Sequence, residues 1–586
     1  MRRTIVRISL LVALIGAAPA AAAPADDFRK LLDDHYAWLL REDPVYATQL
    51  GVRDHDHRIA DISSAARDRR ATEARAFLAR LENIPGSALG PDNRTDRAIL
   101  KRMLEEAVEA NRHAQRTMLF STYFGWHQDF IDAVTAMPFR TRADFESYLA
   151  RIAQYPTLND AALAITEEAV RGGFVRPCSV LANYERTVSG VIAEDMARSR
   201  YYEPFAGKRP ADVDVLEWQS LQSRARTIIK NVINPAYAKH RAYFRVSYLP
   251  HCAKTDGISA LPGGREYYAF RVRAETTTDL SPDRIHQIGL EEVRRIRADM
   301  AQVAREAGFP SREAFIQDLR TNPVHYAATP EALMAATALV TKTIDGKMPS
   351  HFGILPRLPY GIRAIPQETA EGSTTAYYMR GTQESGVAGT YYVNTSKLDQ
   401  RPLWEIPALS LHEAVPGHHQ QIALQQEMDI APFRRNFTGF TAFIEGWGLY
   451  AESLGEEMGL YDTPAKRMGQ LSYQMWRAAR LVVDTGIHAQ GWDKARAVAF
   501  MRDNTALSDA NIDAEVNRYI SWPAQALAYK LGELKIKELR ARAERELGSR
   551  FDLRHFHDAL LRNGPLPLDL LEAQMVDWIT VERTKA

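Results

Sequence analysis

Cysteine is almost missing: Cys178 and Cys252 are the only two in 586 residues. That shortage excludes a disulfide scaffold, an iron–sulfur cluster and an all-thiolate zinc site. A surplus of either charge sign is missing too, since 74 Lys plus Arg face 73 Asp plus Glu. A net charge of +1 excludes a nucleic-acid binder that works through a broad basic field. Low-complexity tracts are absent, and 46% hydrophobic with 25% charged residues is a globular balance. A wholly disordered or fibrous chain is therefore excluded. What remains is a large globular protein whose function must sit in a local site.

The N-terminal segment has a distinct layout. Arg2, Arg3 and Arg7 precede the apolar run from Ile8 to Ala18, and small residues follow at Ala20 to Ala23. This is the order of a secretory signal peptide, here residues 1–23. The run falls well short of the roughly 20 apolar residues that span a bilayer, which disfavours a membrane anchor. No later stretch approaches that length, so the expected product is soluble, periplasmic or secreted, without stable membrane insertion. Removal of the segment takes three arginines and no acid, leaving the mature chain at −2. Export leaves two readings of the cysteines. They pair, closing a loop of roughly 75 residues worth about 4 kcal/mol in the chain-entropy model, or they are separate buried thiols acting as small hydrophobes.

The periodicity predicts a mainly α protein with a small β element. From residue 24 to about 260, apolar positions recur at three and four spacing, as in Phe28, Leu31, Leu32, Tyr36, Leu39 and Leu40, which predicts an N-terminal helical lobe. A composition shift at Ala260-Leu261-Pro262-Gly263-Gly264 opens a second lobe, 261–586, which carries the richest motifs. Tyr267, Tyr268, Phe270 and Val272 read as a short strand. Ser281-Pro282-Asp283 and Thr329-Pro330-Glu331 have the cap-then-proline form of helix starts. Gly389-Thr390-Tyr391-Tyr392-Val393-Asn394 is the best strand. Helices follow at Phe440–Met458, Leu471–His488, Ile512–Ile520 and Pro523–Arg542, with a pair at the C-terminus. No period of 20–50 residues indicates a repeat array.

The chemistry concentrates in His412-Glu413-Ala414-Val415-Pro416-Gly417-His418-His419, behind the apolar run Ile406 to Leu411. Imidazoles are the commonest metal ligands, and a zinc-protease helix carries two of them one turn apart beside a general-base Glu. The spacing here differs. At about 100° per residue on an ideal helix, His412 and His419 differ by about 20°, while His412 and His418 differ by about 240°. Pro416 interrupts that wheel, because it cannot donate to the His412 carbonyl and its ring distorts the preceding turn. Geometry alone leaves His418 and His419 open as the second ligand. Glu445, in Phe443-Ile444-Glu445-Gly446-Trp447-Gly448-Leu449-Tyr450-Ala451-Glu452, is the candidate third ligand, since an unpaired carboxylate in so apolar a stretch would be costly to bury. Gly446 and Gly448 would let another element approach closely. Glu452, seven residues on, lies on the same face and could hold a ligand imidazole.

The motif His-Glu-x-x-Pro-Gly-His-His, followed by Glu-Gly-Trp-x-Leu-Tyr-x-Glu, resembles the bacterial family catalogued as domain of unknown function 885. The resemblance extends to Gly264-Arg265-Glu266-Tyr267-Tyr268, to Gly389–Asn394, and to Arg518-Tyr519 with Trp522-Pro523-x-Gln525-Ala526, and covers most of the mature chain. That family looks like a distant relative of helical zinc peptidases such as carboxypeptidase Taq and thimet oligopeptidase. Their His-Glu-x-Gly-His would match Gly417-His418 after a two-residue insertion, Val415-Pro416. Family members often carry an aromatic where His419 stands. The resemblance thus implies His418 as the second ligand.

The implied site is Zn²⁺ held by His412, His418 and Glu445, with a fourth position open for water and Glu413 as general base. His488, spaced i, i+4 from Asp484, and Tyr519 are candidate donors to the oxyanion. Arg518 could grip a substrate carboxylate bidentately, with Arg480 as competitor. The strand holding Tyr391 and Asn394, if an edge, could pair with an extended peptide. The expected function is a secreted zinc metallopeptidase acting on short peptides. A zinc amidase of non-peptide substrates and a metal-free helical binding protein are the alternatives.

Overall fold

The computed structural model describes residues 24–585 except 122–123, 136, 371–372 and 384–385. The proposed signal segment, 1–23, lies outside the described residues. The chain is mainly α, with one three-stranded sheet among the described residues. Both expected helix starts form. Ser281 accepts from Arg284 N ahead of the helix Pro282–Glu306, and Thr329 accepts from Ala332 N ahead of Pro330–His351. No helix among the described residues is long and apolar enough to cross a membrane.

Three large apolar clusters organise the body. One is confined to Val45–Cys252 and is rich in buried tyrosines such as Tyr148, Tyr155, Tyr184 and Tyr237. Cys178 and Cys252 pair at its edge with Cα atoms 5.1 Å apart, beside a backbone bridge between Pro177 and Ala253. A second cluster joins Phe28, Leu31, Leu81 and Leu100, near the N-terminus, to Trp447, Leu560 and Trp578. The first helices therefore pack on the C-terminal part of the chain as well as on one another. The third packs Val293, Ile296 and Met300 against Met475, Val482 and Val483.

Residues Tyr267 to Val272 correct the expectation of a strand: Gly264–Thr276 is a helix. Tyr268, Val272 and Glu275 recur at i, i+4 and i+7, and Tyr267 and Phe270 fill a second buried stripe. A helix buried on two sides shows apolar residues at even spacing as well, and that imitates a strand.

The sheet contains β1 (Tyr360–Ala364), β2 (Ala376–Met379) and β3 (Gly389–Val393) in the order β1-β3-β2. β1 runs parallel to β3 with Tyr360 opposite Gly389, and β2 runs antiparallel with Tyr378 opposite Tyr391. β3 is therefore the central strand, paired on both sides. It is not an edge open to a peptide, and the β-augmentation expected for Gly389–Asn394 is corrected.

Candidate metal centre

Two short helices and a longer one build the centre. α1 (Ile406–Glu413) is buried along almost its whole length, so His412 emerges at its last turn inside the protein. The helix stops there because Pro416 has no N–H for the His412 carbonyl and disfavours helical backbone at Val415. Ala414 leaves the helix at φ −93°, ψ −123°, and α2 (His418–Glu427) begins four residues later. Gly417 is required at the break, since a Cβ there would lie 1.9 Å from the His412 carbonyl oxygen. Trp447 Nε1 donates to the Pro416 carbonyl at 2.7 Å and fixes the break to α3 (Thr441–Leu454).

Across this break, His412 Nε2 lies 3.5 Å from Glu445 Oε2, and His418 Nε2 lies 3.7 Å from the same atom. The two imidazole rings are 4.7 Å apart and nearly perpendicular. One ligand atom from each of His412, His418 and Glu445 lies within 4.8 Å of the others. The edge of a zinc tetrahedron with bonds of roughly 2.0 Å is about 3.3 Å, so the group is close to the required size. The donor chemistry fits as well. His412 Nδ1 lies 2.8 Å from Glu452 Oε1, so its proton belongs on Nδ1 and Nε2 is left to bind. His418 Nδ1 is buried without a partner among the described residues.

The room for this arrangement comes from glycine, as the sequence predicts. A Cβ on Gly448 would sit 2.7 Å from the His412 ring, and a Cβ on Gly446 would sit 2.5 Å from Gly532 Cα. Gly532 belongs to α6 (Leu527–Leu547), which crosses α3 at this point. The carboxylate partner of His412 is braced in turn. Arg477 Nη2 lies 3.6 Å from Glu452 Oε1, and Arg477 stacks on Tyr473 and Trp476 at 4.6 and 4.4 Å. Sequence reasoning missed Arg477. Its signal was an arginine on the buried face of α4 (Pro464–His488).

Electrostatics bind the group together. Burial works against the charged forms, yet the hydrogen bonds and charges of Glu445 and Glu452 pull His412 up to about 10. Burial likewise favours a protonated Glu445, but His412, His418 and Arg518 outweigh it and hold the carboxyl at about 2. His418 is pushed down, first by burial and then by His412. Glu413 is half-buried beside His412, and its charge acts on both imidazoles and on Tyr391.

His419, the wheel's choice, points elsewhere. Its Nδ1 lies 3.0 Å from the Tyr378 hydroxyl and its Nε2 3.0 Å from the Leu358 carbonyl. It ties the sheet to α2 rather than joining the cluster. Tyr378 is the partner that sequence reasoning did not identify.

The other expected residues separate from the centre. His488 is a correction: its Nδ1 accepts from Ile258 N at 3.2 Å and its Nε2 bonds the Tyr519 carbonyl at 2.9 Å. Both nitrogens are used and neither can serve an oxyanion. Asp484 bonds Tyr268 and Ala524 N instead of orienting His488. Tyr519 is also corrected. It is 1% exposed, and its hydroxyl donates to Glu515 at 2.7 Å while accepting from Arg480 and Trp476. Asn394 is fully buried, its amide donating to the carbonyls of Ala370, Ser373 and Thr374. It shapes a turn and does not face a substrate. Tyr391 is buried in β3, where burial pushes its phenol up. Arg518, on α5 (Asp509–Ser521), keeps partial exposure. A cavity of about 770 Å³ lies apart from this cluster and is lined by paired charges such as Arg102–Asp569 and Arg273–Glu109.

The model of a bacterial protein family of unknown function, DUF885, matches residues 44–575. The chain belongs to that family. The histidine motif, the Glu445 helix and the Arg518 turn all lie within the matched part of this DUF885 chain. No curated protein matches it. Two solved structures share the fold. A candidate lipoprotein from Colwellia psychrerythraea is 24% identical with a TM-score of 0.89, covering 96% of this chain and 100% of that one. A candidate lipoprotein of unknown function from Shewanella oneidensis is 17% identical with a TM-score of 0.74, covering 95% and 100%.

Proposed function

We propose that this DUF885 protein is an exported zinc-dependent metallopeptidase that hydrolyses peptide bonds of short peptides. The observation that carries the reading is the convergence of His412 Nε2, His418 Nε2 and Glu445, with Glu413 next to His412 in the chain and its charge reaching both imidazoles. A metal-free binding protein has no use for a carboxylate base next to such a set. Zinc bound there would supply Lewis acidity, acidifying water and polarising a carbonyl. Glu452 holds the His412 tautomer by accepting from Nδ1. Glu413 takes the proton of the attacking water, and when the C–N bond breaks it returns that proton to the leaving amine. The lipoprotein descriptions of the two structural neighbours support an envelope location, and the layout of residues 1–23 supports a periplasmic or secreted one.

The test is metal content followed by digestion. Purified protein carries about one equivalent of zinc, and His412→Ala loses it. Glu413→Gln keeps the zinc and lowers peptide turnover at least about 100-fold, the scale of general-base catalysis. A wild-type protein that binds no zinc overturns the reading. Zinc binding without cleavage of any peptide in a mixed library shifts it to a hydrolase of non-peptide amides.

A further inference from the structure

Beside the candidate metal centre two cations share one anion. Arg480 Nη2 pairs with Glu515 at 3.0 Å, and Arg518 Nη1 lies 3.6 Å from the same carboxylate. Arg480 is 2% exposed and sandwiched between Trp476 and Tyr529, at 4.6 and 4.5 Å. Its Nη1 has no hydrogen-bond acceptor among the described residues. Within this triad one positive charge is in surplus where an uncompensated cation is costly. Arg518 is the member of the pair that solvent reaches, with its side chain 24% exposed.

Arg518 is aimed by its neighbours. Its Nη2 donates to Gln525 Oε1 at 2.9 Å and to the Tyr529 hydroxyl at 3.2 Å. Tyr529 stands three residues before Gly532, and Gly532 packs on Gly446, the residue after Glu445. The Arg518 charge reaches Glu445 and helps to hold its carboxyl down, after the larger effects of burial and the two histidines. The turn beyond Arg518 is fixed from three sides. Arg176 Nη1 donates to the Ser521 carbonyl at 2.5 Å, His488 Nε2 to the Tyr519 carbonyl at 2.9 Å, and Asp484 accepts from Ala524 N at 3.2 Å. Ala524 is held at φ 69°, a left-handed conformation that a non-glycine residue keeps only when its surroundings impose it. So much fixed structure behind one partly exposed guanidinium fits a fork that must meet a planar anion in a set orientation.

We propose that Arg518 anchors the free α-carboxylate of the substrate, making the protein a carboxypeptidase, with Glu515, Gln525 and Tyr529 as positioning residues. This rests on the peptidase reading above. The experiment compares N-blocked tripeptides ending in a free acid or in an amide, cut by the zinc-loaded wild type, Arg518→Gln and Arg518→Lys. Wild type prefers the acid by roughly 10- to 100-fold in kcat/KM, the range of a charge-assisted pair. Arg518→Gln erases the preference, mainly through KM, while zinc content stays at one equivalent. Arg518→Lys, which keeps the charge and loses the fork, falls between and serves if the glutamine variant does not fold. Equal cleavage of acid and amide by wild type, or a preference that survives in both variants, overturns the proposal. If neither peptide is cut, the peptidase reading fails, and calorimetry with N-acetyl-dialanine and its amide decides the subsite. Acid-selective binding that is lost in Arg518→Gln and weakened in Arg518→Lys sustains it, and binding that is absent or indifferent to the amide refutes it.

Discussion

Gly448→Ala sets two effects of known size against each other. In the middle of α3 the substitution should help, since alanine is favoured over glycine in a helix by about 1 kcal/mol. The new Cβ, however, would sit 2.7, 2.9 and 3.0 Å from His412 Cε1, Nε2 and Nδ1. The ring cannot swing away cheaply, because Nδ1 is held by Glu452 at 2.8 Å and the side chain is 5% exposed. Overpacking of this kind costs about 1 to 3 kcal/mol, so the net effect is a loss of up to about 2 kcal/mol. The displaced ring also misdirects Nε2, and zinc affinity falls by roughly 10- to 100-fold, as when an outer-shell partner is removed. Urea unfolding of the metal-free protein reads the first effect, and zinc titration against a chromophoric chelator reads the second. Gly346→Ala is the control. Gly346 lies on the helix Pro330–His351, and a methyl added there would meet nothing within 4 Å. That variant should gain about 1 kcal/mol with zinc affinity unchanged. If Gly448→Ala behaves like that control, the close packing of glycine on the ligand ring is wrong.

Glu452→Gln keeps the shape beside His412 but removes the charge that fixes its tautomer, and we expect zinc affinity to drop by roughly 10- to 100-fold without loss of the fold. An unchanged zinc titration would deny Glu452 its supporting role. Acid should destabilise the metal-free protein. Burial lowers His35, His419 and His488 to about 4, His127 and His557 to about 3, and His240 to about 2, from an ordinary 6.5. The unfolded chain takes up protons near 6.5 while the folded chain refuses them. Stability is therefore full above about pH 6.5 and falls as the pH drops toward 4. Glu106, Glu405 and Asp484 act in the opposite direction, since burial raises each to about 7 and their ionisation costs stability as the pH rises toward that value. His412, pulled up to about 10 by Glu445 and Glu452, joins them above about pH 6.5, but the six histidines outweigh these groups below it. Melting temperatures measured from pH 7 to pH 5 should fall steadily; a flat profile would mean that these rings are not buried as neutral groups.

Much of the fold was legible because the sequence patterns and the forces agree. Ser281 and Thr329 announce helices by capping chemistry that acts over three residues, and the apolar spacing of α3 and α4 reports burial directly. Glu445 and Glu452 were legible for the same reason: a carboxylate in an apolar helix needs a partner, and seven residues return it to the same face. The illegible parts depend on contacts that no local pattern encodes. The strand status of Gly389–Val393 says nothing about whether it lies at an edge or in the middle, which is set by Tyr360 and Tyr377 arriving from either side. Asp484 and His488 have the spacing of a helix-surface pair, yet each finds a stronger partner across the core.

The histidine motif shows where a helical wheel stops being valid. The wheel assumes one continuous helix from His412 to His419, and on that assumption His419 faces the metal. The chain instead leaves the helix at Ala414 and restarts at His418, so the directions of His418 and His419 belong to a second helix whose axis the first does not determine. What fixes that axis is remote: the Trp447 bond to the Pro416 carbonyl and the clasp of His419 between Tyr378 and Leu358. The two histidines thus divide the work. One faces the cluster because its neighbour is held by the sheet, and replacing His419 with an aromatic of similar size would keep the clasp's packing while losing its two polar contacts. That is the physical sense in which an aromatic can stand at this position without disturbing the candidate ligands.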